Sequence, residues 1–276
     1  MFDLPAVQIG SVTMDGVEPV FMLGPCVIES EEFIWDIAEK LDALARPRGW
    51  RWIFKASYDK ANRSAISSYR GIGCDDGCAL LAKVGAKFGV AVTTDVHTPE
   101  EARQAAKHID LLQIPAFLCR QTDLIVAAGE TGRAVNVKKG QFMAPWDVKN
   151  IADKLAAAGC ANFMFTERGT TFGYNNLVAD MRSLYWMREL GYRVVMDATH
   201  SVQRPGGLGT ATGGDGKLAP VLARASVAAG CDGVFMETHP DPAKAMSDGP
   251  NQIPLSQIAS VVESLRQIHA ITRSID

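Results

Sequence analysis

The sequence lacks the long apolar segments that mark membrane and secreted proteins. No uncharged apolar run approaches the ~20 residues needed to span a bilayer. Residues 1–5 carry neither the basic start nor the apolar core of a secretory signal. We therefore expect no membrane partner and predict a cytoplasmic location.

An excess of positive charge is also missing. The chain has 28 Lys and Arg residues against 31 Asp and Glu residues, a net charge of -3, and its isoelectric point is near 6.0. A general nucleic-acid surface needs a basic excess to meet the phosphate backbone. We expect no nucleic-acid partner, and any cations that bind a ligand must be gathered locally.

Cysteine is sparse, with six in 276 residues. Without a secretory signal, this number indicates thiols and not a disulfide framework. Cys74 and Cys78 are four residues apart near the start of a predicted helix. We interpret them as buried thiols.

A nucleotide-binding glycine motif is absent from the glycine-rich segment 205–217. Thr212 stands where a dinucleotide motif needs its third glycine. Ala211 replaces the first glycine of a P-loop, and Leu218 replaces its Ser or Thr. We interpret the segment as a flexible loop that closes over a site.

What the chain does contain is a regular alternation of short apolar runs and segments of helical periodicity. With 47% hydrophobic residues, it can bury one large core or two smaller ones. The predicted strands cover 20–24, 52–55, 90–94, 111–114, 134–137, 163–166, 193–196 and 233–236. The predicted helices cover 31–45, 79–88, 99–107, 146–158, 177–190, 218–229 and 255–271.

Eight strand–helix repeats in about 250 residues predict an α/β fold, a (β/α)8 TIM barrel. We expect a single domain over 1–276, and a doubly wound open sheet is the alternative. A short N-terminal β-hairpin over about 6–19, with its turn at Asp15-Gly16, would precede the barrel.

Polar and charged residues follow the predicted strands. In a barrel these positions converge on one mouth, where the active site lies. They are Cys26, Lys55, Ser57, Lys60, Arg63, Asp95, Gln113, Arg120, Lys138, Glu167, Arg168, His200, Glu237 and Asp248.

The cations of this set begin with the segment 55–64, which follows a short apolar run. Its Lys and Arg side chains suit an anion site, although a solvated loop would have the same composition. With Arg120, Lys138 and Arg168, they place several positive charges at one mouth of a net acidic protein. We expect substrates that carry several negative charges, such as phosphates and a carboxylate.

A thiol, an imidazole and two carboxylates form the second set: Cys26, His200, Glu237 and Asp248. Together they fit one divalent ion with an open position, and Zn, Fe(II), Mn and Co are all compatible. Singly, each also fits a structural role, because their scattered positions have no diagnostic spacing. Asp95 fits a base, a group that orients a hydroxyl, or a capping residue.

Five segments resemble one enzyme family, 3-deoxy-D-manno-octulosonate 8-phosphate synthase. They are 24–30, 55–64, 113–121, 197–203 and 236–242, and the resemblance runs from about 24 to 255. It implies a (β/α)8 homotetramer that condenses phosphoenolpyruvate with D-arabinose 5-phosphate and releases inorganic phosphate, on the route to lipopolysaccharide. Cys26 stands where the metal-independent branch of the family has Asn, so the resemblance implies the metal-dependent branch.

The resemblance also implies roles for single residues. Lys138 and Arg168 would hold the phosphoenolpyruvate phosphate, with Lys55, Lys60 and Gln113 around that substrate. The pentose phosphate would meet Asn62, Arg63 and Ser64, and Arg120 would come from a neighbouring subunit. The resulting prediction places Lys60, Asp95, His200 and Asp248 in catalysis, Ser57 with the substrate-binding residues, and Cys26, His200, Glu237 and Asp248 at the metal.

Three other functions fit parts of this pattern. A 3-deoxy-D-arabino-heptulosonate 7-phosphate synthase would use erythrose 4-phosphate, but it shows Lys-Pro-Arg-Thr where this chain has Lys-Ala-Asn-Arg-Ser at 60–64. A non-catalytic sugar-phosphate-binding barrel would not need the metal ligands. A Schiff-base aldolase would use Lys55 or Lys138.

Overall fold

A computed structural model describes residues 2–63, 65–207 and 213–275. Eight parallel strands form a closed barrel in sequence order. They are β1 Val20–Gly24, β2 Trp52–Lys55, β3 Ala91–Asp95, β4 Leu111–Ile114, β5 Ala134–Lys138, β6 Phe163–Glu167, β7 Val194–Asp197 and β8 Gly233–His239. Strand β8 pairs with both β7 and β1, which closes the barrel and confirms the predicted (β/α)8 architecture.

A helix follows each strand. The eight are α1 Glu31–Ala45, α2 Cys74–Phe88, α3 Pro99–Ala105, α4 Thr122–Glu130, α5 Val148–Ala157, α6 Arg182–Glu189, α7 Ala219–Ala228 and α8 Leu255–Ile275. Helix α1 begins where predicted because the Ser30 hydroxyl accepts a hydrogen bond from the Phe33 amide. Among the described residues, no helix combines the length and the hydrophobicity that spanning a lipid bilayer requires.

Three helices differ most from the prediction, and one of them, helix α2, begins at Cys74, five residues before the predicted 79. Helix α4 was not predicted, because its nine residues offer one unbroken apolar run, 124–129, and no clear periodic face. Helix α6 begins five residues later than the predicted 177, since Leu177–Val178 pairs as a strand with Thr170–Thr171. Both short strands lie in the single loop between β6 and α6, and helical periodicity at 177–181 does not reveal that this segment pairs with residues 170–171 instead.

The interior of the barrel changes from apolar to polar along its axis. Side chains that point inward recur at every second strand position. The inward positions nearer the amino ends of the strands are apolar, as at Ile53 of β2 and Phe235 of β8. They belong to one buried cluster, the lower apolar cluster. Two residues further along the same strands stand Lys55 and Glu237. The alternation therefore places the chemistry at the carboxyl ends of the strands.

The N-terminal hairpin closes the opposite end of the barrel. Its strands, Val7–Ile9 and Val12–Met14, are antiparallel, and Val7, Ile9 and Met14 pack against the lower apolar cluster. The predicted turn at Asp15-Gly16 was wrong: the register pairs Ile9 with Val12, so the turn lies at residues 10–11. Asp15 instead accepts a hydrogen bond from Arg51 at 2.7 Å.

Candidate active site

The loops after the barrel strands surround a cavity of about 1160 Å³. Eight of the predicted site residues line it: Lys60, Asn62, Arg63, Asp95, Lys138, Arg168, His200 and Asp248. Five others, Cys26, Lys55, Ser57, Gln113 and Glu237, are buried and are not among its lining residues. Arg120 is exposed and also absent from the lining, and Ser64 lies outside the described residues.

Three of the four predicted metal ligands form a compact group. One ligand atom each from Cys26, Glu237 and Asp248 lies within 4.8 Å of the others. The Cys26 sulfur is 3.3 Å from Asp248 Oδ2, although the two residues are 222 positions apart in the chain. Asp248 adopts a left-handed backbone conformation, with φ at 49°, which is uncommon for a residue other than glycine.

His200 lies beside this group. Its Nε2 atom is 3.6 Å from Glu237 Oε2 and 4.0 Å from Asp248 Oδ2. Its Nδ1 atom is 2.8 Å from Asp197 Oδ2, and a carboxylate in this position accepts the Nδ1 proton. Carboxylate–histidine pairs of this kind orient metal-binding imidazoles, because they leave the Nε2 lone pair free.

The surroundings of Glu237 and Cys26 are compatible with a metal cation bound between them. Burial alone would raise the pKa of Glu237, but nearby cations, Lys55 first, lower it to about 2. Lys55 Nζ donates to Glu237 Oε1 at 2.5 Å, while Oε2 has no hydrogen-bond partner among the described residues. Burial, and then the charge of Glu237, raises the pKa of the Cys26 thiol.

The combination of sulfur, imidazole and carboxylate donors suits a borderline divalent ion. A bound ion would satisfy the free Glu237 oxygen and favour the thiolate of Cys26, since a metal reverses the effect of burial on a coordinating thiol. The residues present therefore fit a metal centre.

A second part of the site holds cations. Lys138 Nζ donates to Asp197 Oδ2 at 2.7 Å, and Arg168 Nη2 donates to Gln203 Oε1 at 2.7 Å. Arg168 Nη1 is buried and has no hydrogen-bond partner among the described residues. Burial lowers the pKa of Arg168, although a guanidinium stays charged at neutral pH. A buried guanidinium with a free N–H group is suited to an anion such as a phosphate.

Asp95 belongs to a hydrogen-bonded network and does not cap a helix. It accepts hydrogen bonds from Ser57 Oγ at 2.6 Å and from Gln113 Nε2 at 2.7 Å, and Lys60 Nζ donates to Ser57 at 3.0 Å. Burial alone would raise the pKa of Asp95, but nearby lysines, Lys55 first, hold it well below its ordinary value. A carboxylate with so low a pKa is a weak proton acceptor, which favours an orienting or electrostatic role over that of a general base.

Lys60, in contrast to Asp95, is surrounded by acidic groups. Burial alone would lower its pKa, but the acidic groups of Cys26, Glu237 and Asp95 raise it above the ordinary value for lysine. It therefore remains an ammonium ion at neutral pH and is suited to hold an anion.

Arg63 joins two loops at the rim of the cavity. Its Nη1 atom donates to Ser247 Oγ at 2.7 Å, its Nε atom to the Tyr69 carbonyl at 2.8 Å, and its Nη2 atom to the Met246 carbonyl at 3.2 Å. The Ser247 hydroxyl is also 3.1 Å from the Cys26 sulfur. The segment that contains Asp248 is thus fixed to the loop after β2.

Comparison with known proteins shows the family of the chain. A family model described as the DAHP synthetase I family matches residues 7–273. A 2-dehydro-3-deoxyphosphooctonate aldolase of Trichlorobacter lovleyi is 53% identical over 96% of this chain and 98% of its own. Proteins of the same name from Fusobacterium nucleatum and Granulibacter bethesdensis are 50% and 51% identical, over 99% and 97% of this chain and 99% and 95% of their own.

The chain belongs to the DAHP synthetase I family. Three further residues, Asp197, Gln203 and Ser247, contact the candidate site and were not predicted from the sequence. Asp197, which contacts both Lys138 and His200, could have been found, because it continues the inward alternation of β7 after Val195.

Gln203 and Ser247 gave no such signal, because they lie beyond the barrel strands, Gln203 in a two-residue strand after β7 and Ser247 in the loop after β8, where the course of the chain depends on the folded barrel. A buried ion pair joins Lys139 and Glu167, whose Nζ and Oε2 atoms are 3.5 Å apart. Glu167, at the end of β6, was predicted to lie at the mouth of the barrel, whereas Lys139 was not. This pair lies next to Lys138 and Arg168 in the chain and connects the loops that present them.

Proposed function

We propose that this chain is a 3-deoxy-8-phosphooctulonate synthase that serves lipopolysaccharide biosynthesis. It would condense phosphoenolpyruvate and D-arabinose 5-phosphate, with water, to 3-deoxy-D-manno-octulosonate 8-phosphate and inorganic phosphate. The observation that carries the proposal is one cavity that joins buried phosphate-binding cations to a candidate metal cluster. The names of its relatives, 2-dehydro-3-deoxyphosphooctonate aldolase, support the same reaction.

Phosphoenolpyruvate would bind at the buried end of the cavity. We propose that Lys138 and Arg168 hold its phosphate, because both line the cavity and Arg168 has a free N–H group. Lys60 would meet its carboxylate or phosphate as an ammonium ion. Lys55, Ser57 and Gln113 lie beneath the lining, and their proposed role is to fix Glu237 and Asp95.

The pentose phosphate would bind at the rim. Asn62 and Arg63 line the cavity there, and the contacts of Arg63 with residues 246–247 hold its guanidinium in place. Ser64 completes this proposed subsite, and Arg120, which is exposed in the single chain, is proposed to act from a neighbouring subunit.

The proposed ligands of one divalent ion, Zn, Fe(II), Mn or Co, are Cys26, His200, Glu237 and Asp248. When bound, such an ion would orient or polarise the pentose aldehyde or activate a water molecule. Asp197 holds the His200 ring through Nδ1, which keeps Nε2 directed at the carboxylates of Glu237 and Asp248.

In the proposed reaction, C3 of phosphoenolpyruvate forms a bond to the aldehyde carbon of the pentose. Water then adds at C2, and cleavage of the C2–O bond releases inorganic phosphate. The ionised Asp95 would offset positive charge that develops at C2, and Lys138 and Arg168 would stabilise the departing phosphate. Holding both substrates in one cavity supplies the reacting geometry.

The test is phosphate release from phosphoenolpyruvate by the purified chain, with arabinose 5-phosphate or erythrose 4-phosphate as co-substrate. The assay is repeated after chelation and after adding back single divalent metals. We expect turnover with the pentose that is lost on chelation and returns with metal. Preference for erythrose 4-phosphate would identify the heptulosonate synthase instead, and no turnover with either sugar would favour a binding protein.

A pair of cysteine variants separates the metal role from general damage. Cys26 and Cys231 are both buried thiols, but Cys231 lies away from the cavity beside Ser226. We expect Cys26→Ser to abolish metal-dependent turnover and Cys231→Ser to retain it. Turnover by Cys26→Ser that resists chelation would keep the synthase and contradict the metal centre.

The Schiff-base alternative is less compatible with the contacts. Lys55 and Lys138 each touch a buried carboxylate, Glu237 and Asp197, whereas amine nucleophiles are activated by apolar or cationic surroundings. Failure of borohydride to trap substrate on the protein would agree with the synthase.

The proposal extends to the whole molecule. We propose one domain over 1–276, a cytoplasmic location and a homotetramer. Gel filtration with light scattering measures the number of subunits directly, and an active monomer would contradict the role of Arg120 across subunits.

A further inference from the structure

Gln203 connects the phosphate end of the cavity to the metal cluster. Its Oε1 atom accepts a hydrogen bond from Arg168 Nη2 at 2.7 Å. Its Nε2 atom donates to Asp248 Oδ1 at 3.2 Å. All three side chains line the same cavity, so a single amide joins the proposed phosphate cation to a proposed metal ligand.

The chemistry of the amide fixes its direction. A guanidinium can only donate and an ionised carboxylate can only accept, so the Gln203 oxygen must face Arg168 and its nitrogen must face Asp248. Neither a carboxylate nor an apolar side chain of the same length can satisfy both neighbours. The position of either partner therefore constrains the other through this side chain.

A parallel connection shows that the arrangement is repeated. Asp197 Oδ2 accepts from Lys138 Nζ at 2.7 Å and is 2.8 Å from His200 Nδ1. Each of the two proposed phosphate cations is thus joined through one intermediate residue to a different proposed metal ligand. Asp197 is fully buried, whereas Gln203 is only partly buried and uncharged, which makes Gln203 the better position to test.

We propose that Gln203 is a positioning residue that couples the binding of phosphoenolpyruvate to the binding of the divalent metal. The inference rests on the proposed function and adds to it a linkage between its two sites. Binding of the phosphoenolpyruvate phosphate fixes the Arg168 guanidinium. The hydrogen bond from Arg168 then fixes the Gln203 amide, and that amide holds the Asp248 carboxylate in the position where it can bind the metal. Linkage makes the effect reciprocal, so phosphoenolpyruvate tightens metal binding by the same factor as metal tightens phosphoenolpyruvate binding.

The experiment measures this factor by binding alone. The full chain is freed of metal with a chelator, dialysed and titrated with Mn2+, with and without saturating phosphoenolpyruvate, while free Mn2+ is followed by electron paramagnetic resonance. We expect phosphoenolpyruvate to tighten Mn2+ binding by roughly 5- to 150-fold in the unmodified protein, the usual range of coupling between sites.

Two variants test the role of the amide. Gln203→Met keeps the length of the side chain and removes both hydrogen bonds. Gln203→Glu keeps an acceptor for Arg168 and loses the donor to Asp248. We expect either change to reduce the coupling factor at least about threefold, because hydrogen bonds to charged partners are lost. A purely structural role would weaken both ligands and leave the factor unchanged.

Gln257→Met is the matched control. Gln257 is exposed at the rim of the same cavity, and its side chain makes no hydrogen bond among the described residues. We expect its coupling factor to equal that of the unmodified protein. If Gln203→Met does not fold, the Gln203→Glu variant provides the same comparison.

Coupling in the Gln203 variants equal to that of Gln257→Met would overturn the proposal, as would an unmodified protein in which phosphoenolpyruvate leaves Mn2+ affinity unchanged. The proposed function is judged separately, by turnover with arabinose 5-phosphate. If the unmodified protein turns over arabinose 5-phosphate but the Gln203 variants keep the full coupling factor, the role of Gln203 is rejected and the proposed synthase activity stands.

Discussion

The buried ion pair between Lys55 and Glu237 offers the sharpest test of the energetics of this site. Their side chains are each 1% exposed, and Lys55 Nζ is 2.5 Å from Glu237 Oε1. Replacing Lys55 by Met leaves the carboxylate buried without its nearest cation. Removal of one partner from a buried pair destabilises a protein by about 3–5 kcal/mol.

The double variant Lys55→Met/Glu237→Gln removes both charges and keeps similar volumes. The carbonyl of Cys26, 3.0 Å from Lys55 Nζ, loses its donor in both the single and the double variant, so that loss cancels in the comparison. We expect the double variant to recover at least about 2 kcal/mol of the loss, because the uncompensated charge is gone.

Thermal unfolding of the metal-free protein, at one protein concentration and scan rate, measures the effect. For a chain of this size about 3–5 kcal/mol corresponds to a fall in Tm of roughly 5–9 °C for Lys55→Met. Chelator must be present throughout, since a bound cation would replace the lost charge. A double variant as unstable as Lys55→Met would refute the reasoning, because the loss would then come from packing and not from the unpaired carboxylate.

Three further predictions concern single positions. Burial alone would raise the pKa of Glu101, but hydrogen bonds, from His97 first, lower it from 4.5 to about 2. The carboxylate therefore stabilises the fold fully above about pH 4.5 and loses this effect as the pH falls towards 2. After allowance for solvent, Glu101→Gln should cost about 1–2 kcal/mol at pH 7 in urea unfolding and less than half of that at pH 3; a difference independent of pH would contradict this assignment. Arg168→Lys should raise KM for phosphoenolpyruvate more than it lowers kcat, because lysine cannot provide two N–H groups in the same plane; steady-state kinetics with an unchanged KM would argue against a phosphate contact. Ser30→Ala should lower stability by about 1 kcal/mol through loss of the cap to Phe33 while leaving turnover intact, and a loss of activity at constant stability would place Ser30 in the site.

Much of the barrel follows from local pattern. Side chains that alternate at every second strand position are set by backbone geometry, so Ile53 and Lys55 had to point to the same side of β2. The apolar members of this alternation fill the lower barrel and the polar members end at the cavity. The start of α1 was equally local, because it depends on the Ser30 cap.

Closure of the barrel then determines which of the polar residues at the strand ends contact one another. Cys26 and Asp248 are 222 positions apart, and only the pairing of β8 with β1 brings them together. From the sequence, this set followed only from its donor types and from a family resemblance, since scattered ligands have no spacing of their own.

Local sequence pattern specifies the alternation of strands and helices and the polar character of the strand ends, because backbone periodicity and burial act over a few residues. The contacts of Gln203, by contrast, exist only in the folded barrel. They join partners distant in the chain, Arg168 and Asp248, and no local pattern encodes the distance between loops that only a closed barrel brings together.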